Sequence, residues 1–246
     1  MNETIKSDLK INGSGKSPGG YYNNITINGS GDIQGNVDCI NFKVNGSGTV
    51  YGDIKCELAV TSGSSNIKGN AESLEYKVNG SSKINGNGFN KSTKVNGSLD
   101  ITGSLKGDEI YIRGSVKIGS DCTVEKFDSK GGFSIEGLLN SNDINIELYG
   151  PCRAKEIGGE KIYVTVGRSF GLKKLLKTIL NLFNLNEELK SDLIEADEIR
   201  LENVKAKVVR GNNVTIGEGC EIELVEYKNE LINNSGSKII ESKRIV

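Results

Sequence analysis

Val78-Asn79-Gly80-Ser81-Ser82-Lys83-Ile84 is answered 17 residues later by Val95-Asn96-Gly97-Ser98-Leu99-Asp100-Ile101. The same Asn-Gly-Ser triplet stands at Asn12, Asn28 and Asn45, so successive steps are 16, 17, 34 and 17. The 34 is a doubled step, and its middle copy reads Val60-Thr61-Ser62-Gly63-Ser64. A β-branched residue precedes each copy, giving anchors Ile11, Ile27, Val44, Val60, Val78 and Val95. One more step of 17 lands on Ile112, followed by Arg113-Gly114-Ser115.

The columns around the anchors repeat as well. Two residues before them stand Leu9, Ile25, Phe42, Leu58, Tyr76, Thr93 and Ile110. Two after them stand Gly13, Gly29, Gly46, Ser62, Gly80, Gly97 and Gly114. Six after most of them stand Ile33, Val50, Ile84, Ile101 and Ile118; Ile67 comes one place late, as a one-residue bulge would put it. These offsets are even, so in a strand the side chains share one face. The odd positions are mostly polar. A period near 17 is too short for a helix pair or a propeller blade. It holds one turn of a β-solenoid, in which like positions of successive turns stack about 4.8 Å apart. Gly columns then mark inward-facing corners, where a Cβ would crowd the interior or the backbone needs positive φ. Cys39 and Cys56, near their anchors by similar offsets, are expected to stack inside the coil.

The repeat weakens after Ile118 but continues through Phe133-Ser-Ile-Glu-Gly and Lys161-Ile-Tyr-Val-Thr-Val, then returns at Glu198-Ile-Arg-Leu. This predicts about nine turns before residue 169 and two or three after 196. The tail, Ile239-Ile-Glu-Ser-Lys-Arg-Ile-Val246, reads as a last edge strand or a docking strand.

Residues 170–190 break the pattern. At 100° per residue Leu172, Leu175, Leu176, Ile179, Leu182 and Phe183 fall on one side, with Lys173, Lys174 and Lys177 on the other. This predicts an amphipathic helix. Six such side chains left in water would forgo on the order of 10 kcal/mol, at roughly 1.5–3 each. The apolar face therefore calls for a cover: the coil itself, a partner subunit, or a membrane surface reached through the lysine face. The expected organisation is a β-helix over 8–169, an amphipathic helical insertion over 170–195, and C-terminal β-helix turns and tail over 196–246.

Composition narrows the function. The 246 residues include 32 Gly, 2 Pro, no Trp and no His, with 31 basic and 32 acidic side chains. A net charge of −1 argues against nucleic acid as a partner. Without His the commonest general base and transition-metal ligand are missing, so no catalytic residue, cofactor or metal is expected. Five cysteines without CxxC spacing suit a reducing compartment, and the polar N-terminus carries no secretory signal, so the expected address is cytoplasmic. Gly13-Ser-Gly-Lys-Ser17 resembles the end of a P-loop, but Lys10 stands where the motif needs its first Gly. The Asn-Gly-Ser triplets match a glycosylation sequon and read instead as turns.

Gly-rich units of this length with β-branched anchors resemble the bactofilins, polymer-forming cytoskeletal proteins of bacteria. The stretch Ala196-Asp-Glu-Ile-Arg-Leu-Glu-Asn-Val-Lys-Ala-Lys-Val-Val-Arg-Gly-Asn-Asn-Val-Thr-Ile-Gly217 is similar to their longer Gram-positive members. The resemblance implies a right-handed, three-sided β-helix and nucleotide-independent, end-to-end self-assembly in cell-shape, envelope or motility structures. Typical bactofilins have a shorter coil between disordered, often Pro-rich tails, a pattern from which this chain, with 2 Pro, departs. The expectation is a non-catalytic scaffold, cytoplasmic or peripheral at the inner membrane face, whose main partner is itself. The rival reading is a hexapeptide-type acyltransferase, from Val214-Thr-Ile-Gly-Glu-Gly-Cys-Glu-Ile222, which would ordinarily need the His this chain lacks.

Overall fold

The computed structural model describes residues 7–167 and 187–246. Among them the chain is all β, a parallel β-solenoid divided into two compact units that meet in sequence at Ser120 and Asp121. Of the helix expected over 170–190, residues 170–186 lie outside the described residues, together with Leu172, Leu175, Leu176, Ile179, Leu182, Phe183, Lys173, Lys174 and Lys177.

The first unit holds β1 (Ser7–Ile11), β2 (Ser14–Ile27), β3 (Ser30–Val44), β4 (Ser47–Val50), β5 (Ile54–Thr61), β6 (Ser64–Ile67) and β7 (Ala71–Val78). It continues with β8 (Ser81–Ile84), β9 (Gly88–Val95), β10 (Ser98–Ile101), β11 (Leu105–Lys106), β12 (Glu109–Ile112) and β13 (Ser115–Ile118). Every pairing is parallel and joins one turn to the next: Ile11 to Ile27, Ile27 to Val44, Val44 to Thr61, Thr61 to Val78, Val78 to Val95, Val95 to Ile112. Inward positions alternate with outward ones, and Ile33, Val50, Ile67, Ile84, Ile101 and Ile118 stack as one buried column.

That register corrects one anchor. The position that faces inward is Thr61, with Ala59 two before it, rather than Val60 and Leu58. The Gly of that unit is accordingly Gly63, not Ser62, and Ile67 then falls six after its anchor with no bulge. Thr61 is tolerated because its hydroxyl has partners. Thr61 Oγ1 lies 2.9 Å from Ser65 Oγ, which donates to Ser82 Oγ at 2.8 Å, and the Tyr76 hydroxyl is 2.8 Å from Ser82 Oγ. A polar string thus runs inside a mostly aliphatic coil, hydrogen-bonded as burial requires.

The Gly columns also have a different cause from the one expected. Gly46, Gly63, Gly80, Gly97 and Gly114 do not have positive φ. A Cβ on any of them would sit 1.9–2.1 Å from the carbonyl oxygen of the Gly one turn earlier. What excludes side chains is the backbone of the stacked turn, not the interior. Positive φ belongs to other glycines, such as Gly35 at 106°.

The second unit holds β14 (Cys122–Ser129), β15 (Gly132–Leu148), β16 (Cys152–Val166), β17 (Leu189–Leu201), β18 (Val204–Ile216), β19 (Glu221–Asn233) and β20 (Lys238–Arg244). Each pairs in parallel with the next. The coil resumes at Leu189, inside the stretch assigned from sequence to the helical insertion. Residues 189–195 are strand: Leu189 and Ser191, then after a step of three Ile194 and Ala196, turn inward as pairs two apart, and Leu189 pairs with Cys152. The tail resolves as a strand of the coil, β20 adding to β19 in register from Glu221–Lys238 to Tyr227–Arg244.

Candidate interaction surfaces at the coil ends

Two corner ladders hold the turns of the first unit together. Asn28 Nδ2 donates to Asn12 Oδ1 at 2.8 Å, Asn45 Nδ2 to Asn28 Oδ1 at 2.8 Å, and Asn96 Nδ2 to Asn79 Oδ1 at 2.9 Å. At a second corner each side-chain oxygen accepts the backbone N–H one turn on. Asn36 receives Asp53, Asp53 receives Asn70, Asn70 receives Asn87, and Asn87 receives Ser104, at 2.6–2.9 Å. Asp121 does the same for Leu138 in the second unit, at 2.8 Å. The signal for this ladder is the alignment of Asn36, Asp53, Asn70 and Asn87 at steps of 17, each directly after a Gly.

A ladder satisfies each turn through its neighbours, so the first and last turns are left short. Among the described residues, β1 pairs with Tyr22–Ile27 of β2 alone, and Ser14–Gly20 has a neighbour only in β3. At the other end β20 covers Glu221–Tyr227 of β19 and Arg244 Nε donates to Lys228 O at 2.8 Å, leaving the stretch to Asn233 and β20 itself as open edge among the described residues. Among the described residues, each end therefore has part of a turn without a strand partner on its outer side. Apolar side chains accompany it: Tyr21 is 68% exposed at the first end, Ile232 43% and Ile240 71% exposed at the last. Pro18, lying in the open part of β2, brings a residue without an N–H to the first edge, a feature that blunts strand addition.

Charged side chains fasten β20. Glu226, with its side chain 9% exposed, accepts from Arg210 Nε at 2.6 Å and pairs with Lys243 Nζ at 2.7 Å. Lys243 and then Arg210 hold its carboxyl below the ordinary range. Arg210 also reaches Glu195 at 3.0 Å, so β17, β18, β19 and β20 are linked by one chain of charges.

A groove of about 400 Å³ runs across β16 to β20, rimmed by Lys190, Lys205, Lys207, Glu221 and Ile240. Its lysines are largely neutralised in place: Lys190 by Glu188 at 2.7 Å, Lys205 by Glu188 at 3.4 Å and Glu221 at 3.5 Å, Lys207 by Asp192 at 2.8 Å. The five cysteines are free and buried, with Cys39 and Cys56 in register on adjacent turns as expected. A hydrogen bond with Cys39 and burial push the Cys56 thiol up, and burial pushes those of Cys122 and Cys152 up to about 12. Cys56, Cys122 and Cys152 therefore remain protonated at neutral pH. No helix among the described residues is long and apolar enough to cross a membrane.

Among the described residues the molecule is thus a parallel β-solenoid with open strand edges in its first and last turns. It belongs to the family of YhbE, a Bacillus subtilis (strain 168) protein described as uncharacterized. The two are 48% identical over 242 residues, spanning 98% of this chain and 99% of YhbE. A second Bacillus subtilis protein, YhbF, also described as uncharacterized, is 37% identical over 110 residues, 44% of this chain and 42% of YhbF. No family model and no solved structure matches the chain.

Proposed function

We propose that this protein is a non-catalytic scaffold that self-associates through the ends of its coil. The observation that carries the proposal is the open turn at each end, with unpaired strand backbone beside exposed Ile232 and Ile240. Buried or stacked, those N–H and C=O groups would gain partners by strand addition, and the isoleucines would leave water. The resemblance to bactofilins supports the same reading: a right-handed, three-sided coil in a cytoplasmic or membrane-peripheral structural role. Right-handed crossover is the general preference of parallel strands. The apolar face read at Leu172, Leu175, Leu176, Ile179, Leu182 and Phe183 adds a possible contact to the coil, a partner or a lipid surface.

Negative-stain microscopy of the purified protein, without nucleotide, tests the proposal. Filaments or short linear oligomers are expected, and Ile240→Lys should shorten or abolish them while leaving the strand signal in circular dichroism intact. Assemblies unchanged by Ile240→Lys and by a matching change at Tyr21 would move the contact away from the ends.

A further inference from the structure

The Asn-Gly pairs that set the repeat are also the sequence most prone to lose the Asn amide spontaneously. The backbone nitrogen of the Gly attacks the Asn side-chain carbon Cγ. The N–Cγ bond forms, the Cγ–Nδ2 bond breaks, and ammonia leaves with the proton from the Gly nitrogen. Water then opens the cyclic imide at one of its two carbonyls, giving Asp or isoaspartate. The reaction needs a Gly N–H that is free to leave its place and an Asn side chain that can swing onto it.

The chain has seven Asn-Gly pairs, at Asn12, Asn28, Asn45, Asn79, Asn85, Asn87 and Asn96. In six of them the Gly N–H is held by a backbone carbonyl. Gly29 and Gly46 donate at 3.4 and 3.2 Å, Gly80 and Gly97 at 3.1 Å, Gly86 at 3.0 Å and Gly88 at 2.9 Å. The stacked turn also closes on them, since a Cβ at Gly29, Gly46, Gly80 or Gly97 would strike a carbonyl oxygen at 2.1 Å or less. Among the described residues the first turn has no such neighbour. Among the described residues Gly13 N–H has no acceptor, Asn12 Nδ2 has none, both residues are exposed, and nothing lies within 4 Å of a Cβ at Gly13.

We propose that Asn12–Gly13 is a self-modification site: the one Asn-Gly pair of the folded coil that converts to aspartate and isoaspartate, placing a new negative charge on its first turn. The ladder above survives the change to Asp, because Asn28 Nδ2 needs only the Asn12 Oδ1 acceptor that a carboxylate keeps. The inference rests on the geometry of the turns, not on self-association.

The sequence supplies its own control, since Asn12 and Asn28 share the context Ile-Asn-Gly-Ser. The test incubates dilute protein, isolated as the monomer by size exclusion, in mildly alkaline buffer. Peptide mapping by mass spectrometry and enzymatic isoaspartate labelling then follow each site. Asn12 should convert about tenfold or more faster than Asn28, the factor set by breaking one ordinary backbone hydrogen bond. In urea the two rates should converge, and Gly13→Ala should slow conversion at Asn12 strongly. Equal rates at Asn12 and Asn28 in the folded protein would overturn the proposal. So would a difference that persists in urea, which would place its origin in local sequence.

Discussion

At Gly97 a single methyl group decides whether two turns can stack. Its Cβ would lie 1.9 Å from Gly80 O, and the obstacle is backbone on both sides. Gly97→Ala should destabilise the folded coil by about 1–3 kcal/mol, as overpacking against immovable neighbours does. Gly13→Ala, with nothing within 4 Å, should change stability by less than about 0.5 kcal/mol. Urea denaturation of both variants checks the pair, and equal losses would contradict the stacking explanation. Thr61→Val makes a second residue-scale test. It removes the hydroxyl that Ser65 meets at 2.9 Å and should cost about 1 kcal/mol, whereas the outward Val60→Thr should be tolerated. From sequence alone Val60 reads as the anchor, because β-branched apolar residues dominate the column. The interior polar string that makes Thr61 acceptable involves Ser65, Tyr76 and Ser82, and no single-column rule reveals such a network.

At the scale of elements, β20 is tied to β19 partly by charge. Its side chains are largely exposed, and Lys243 on Glu226 is its principal side-chain tie to β19 among the ion pairs described. The Glu226 carboxyl titrates below its ordinary value, so its contribution is present above the unfolded carboxylate range and is lost as pH falls through the folded value. Hydrogen exchange in 238–244 should therefore accelerate, relative to β17 and β18, below about pH 4. Glu226→Gln should show that loosened state already at neutral pH. Uniform protection of β18, β19 and β20 across that range would refute the clamp. The strands around the anchors were legible from residues 9–118 because alternation of period two is nested in a period near 17. The start of β17 was not. Leu189 follows a stretch rich in Leu, Lys and Asn, and apolar residues at mixed spacings blur the switch from one periodicity to the other.

For the whole molecule, the composition that first marks the chain has a structural reading. Glycine accumulates where turns press backbone on backbone, and a narrow coil interior needs few apolar side chains. Parallel stacking, the inward Cys39 and Cys56, and the anchor column apart from Thr61 were readable from spacing. The open ends were foreseeable in principle, but which side chains sit on them required the register of β1 with β2 and of β19 with β20. Those ends carry the proposed function, and sedimentation velocity across a wide concentration range, without nucleotide, tests it most directly. Self-association through the coil ends predicts a series of heavier species that grows with concentration and collapses toward the monomer in Ile240→Lys. A wild-type protein that sediments as a monomer at every concentration would contradict it.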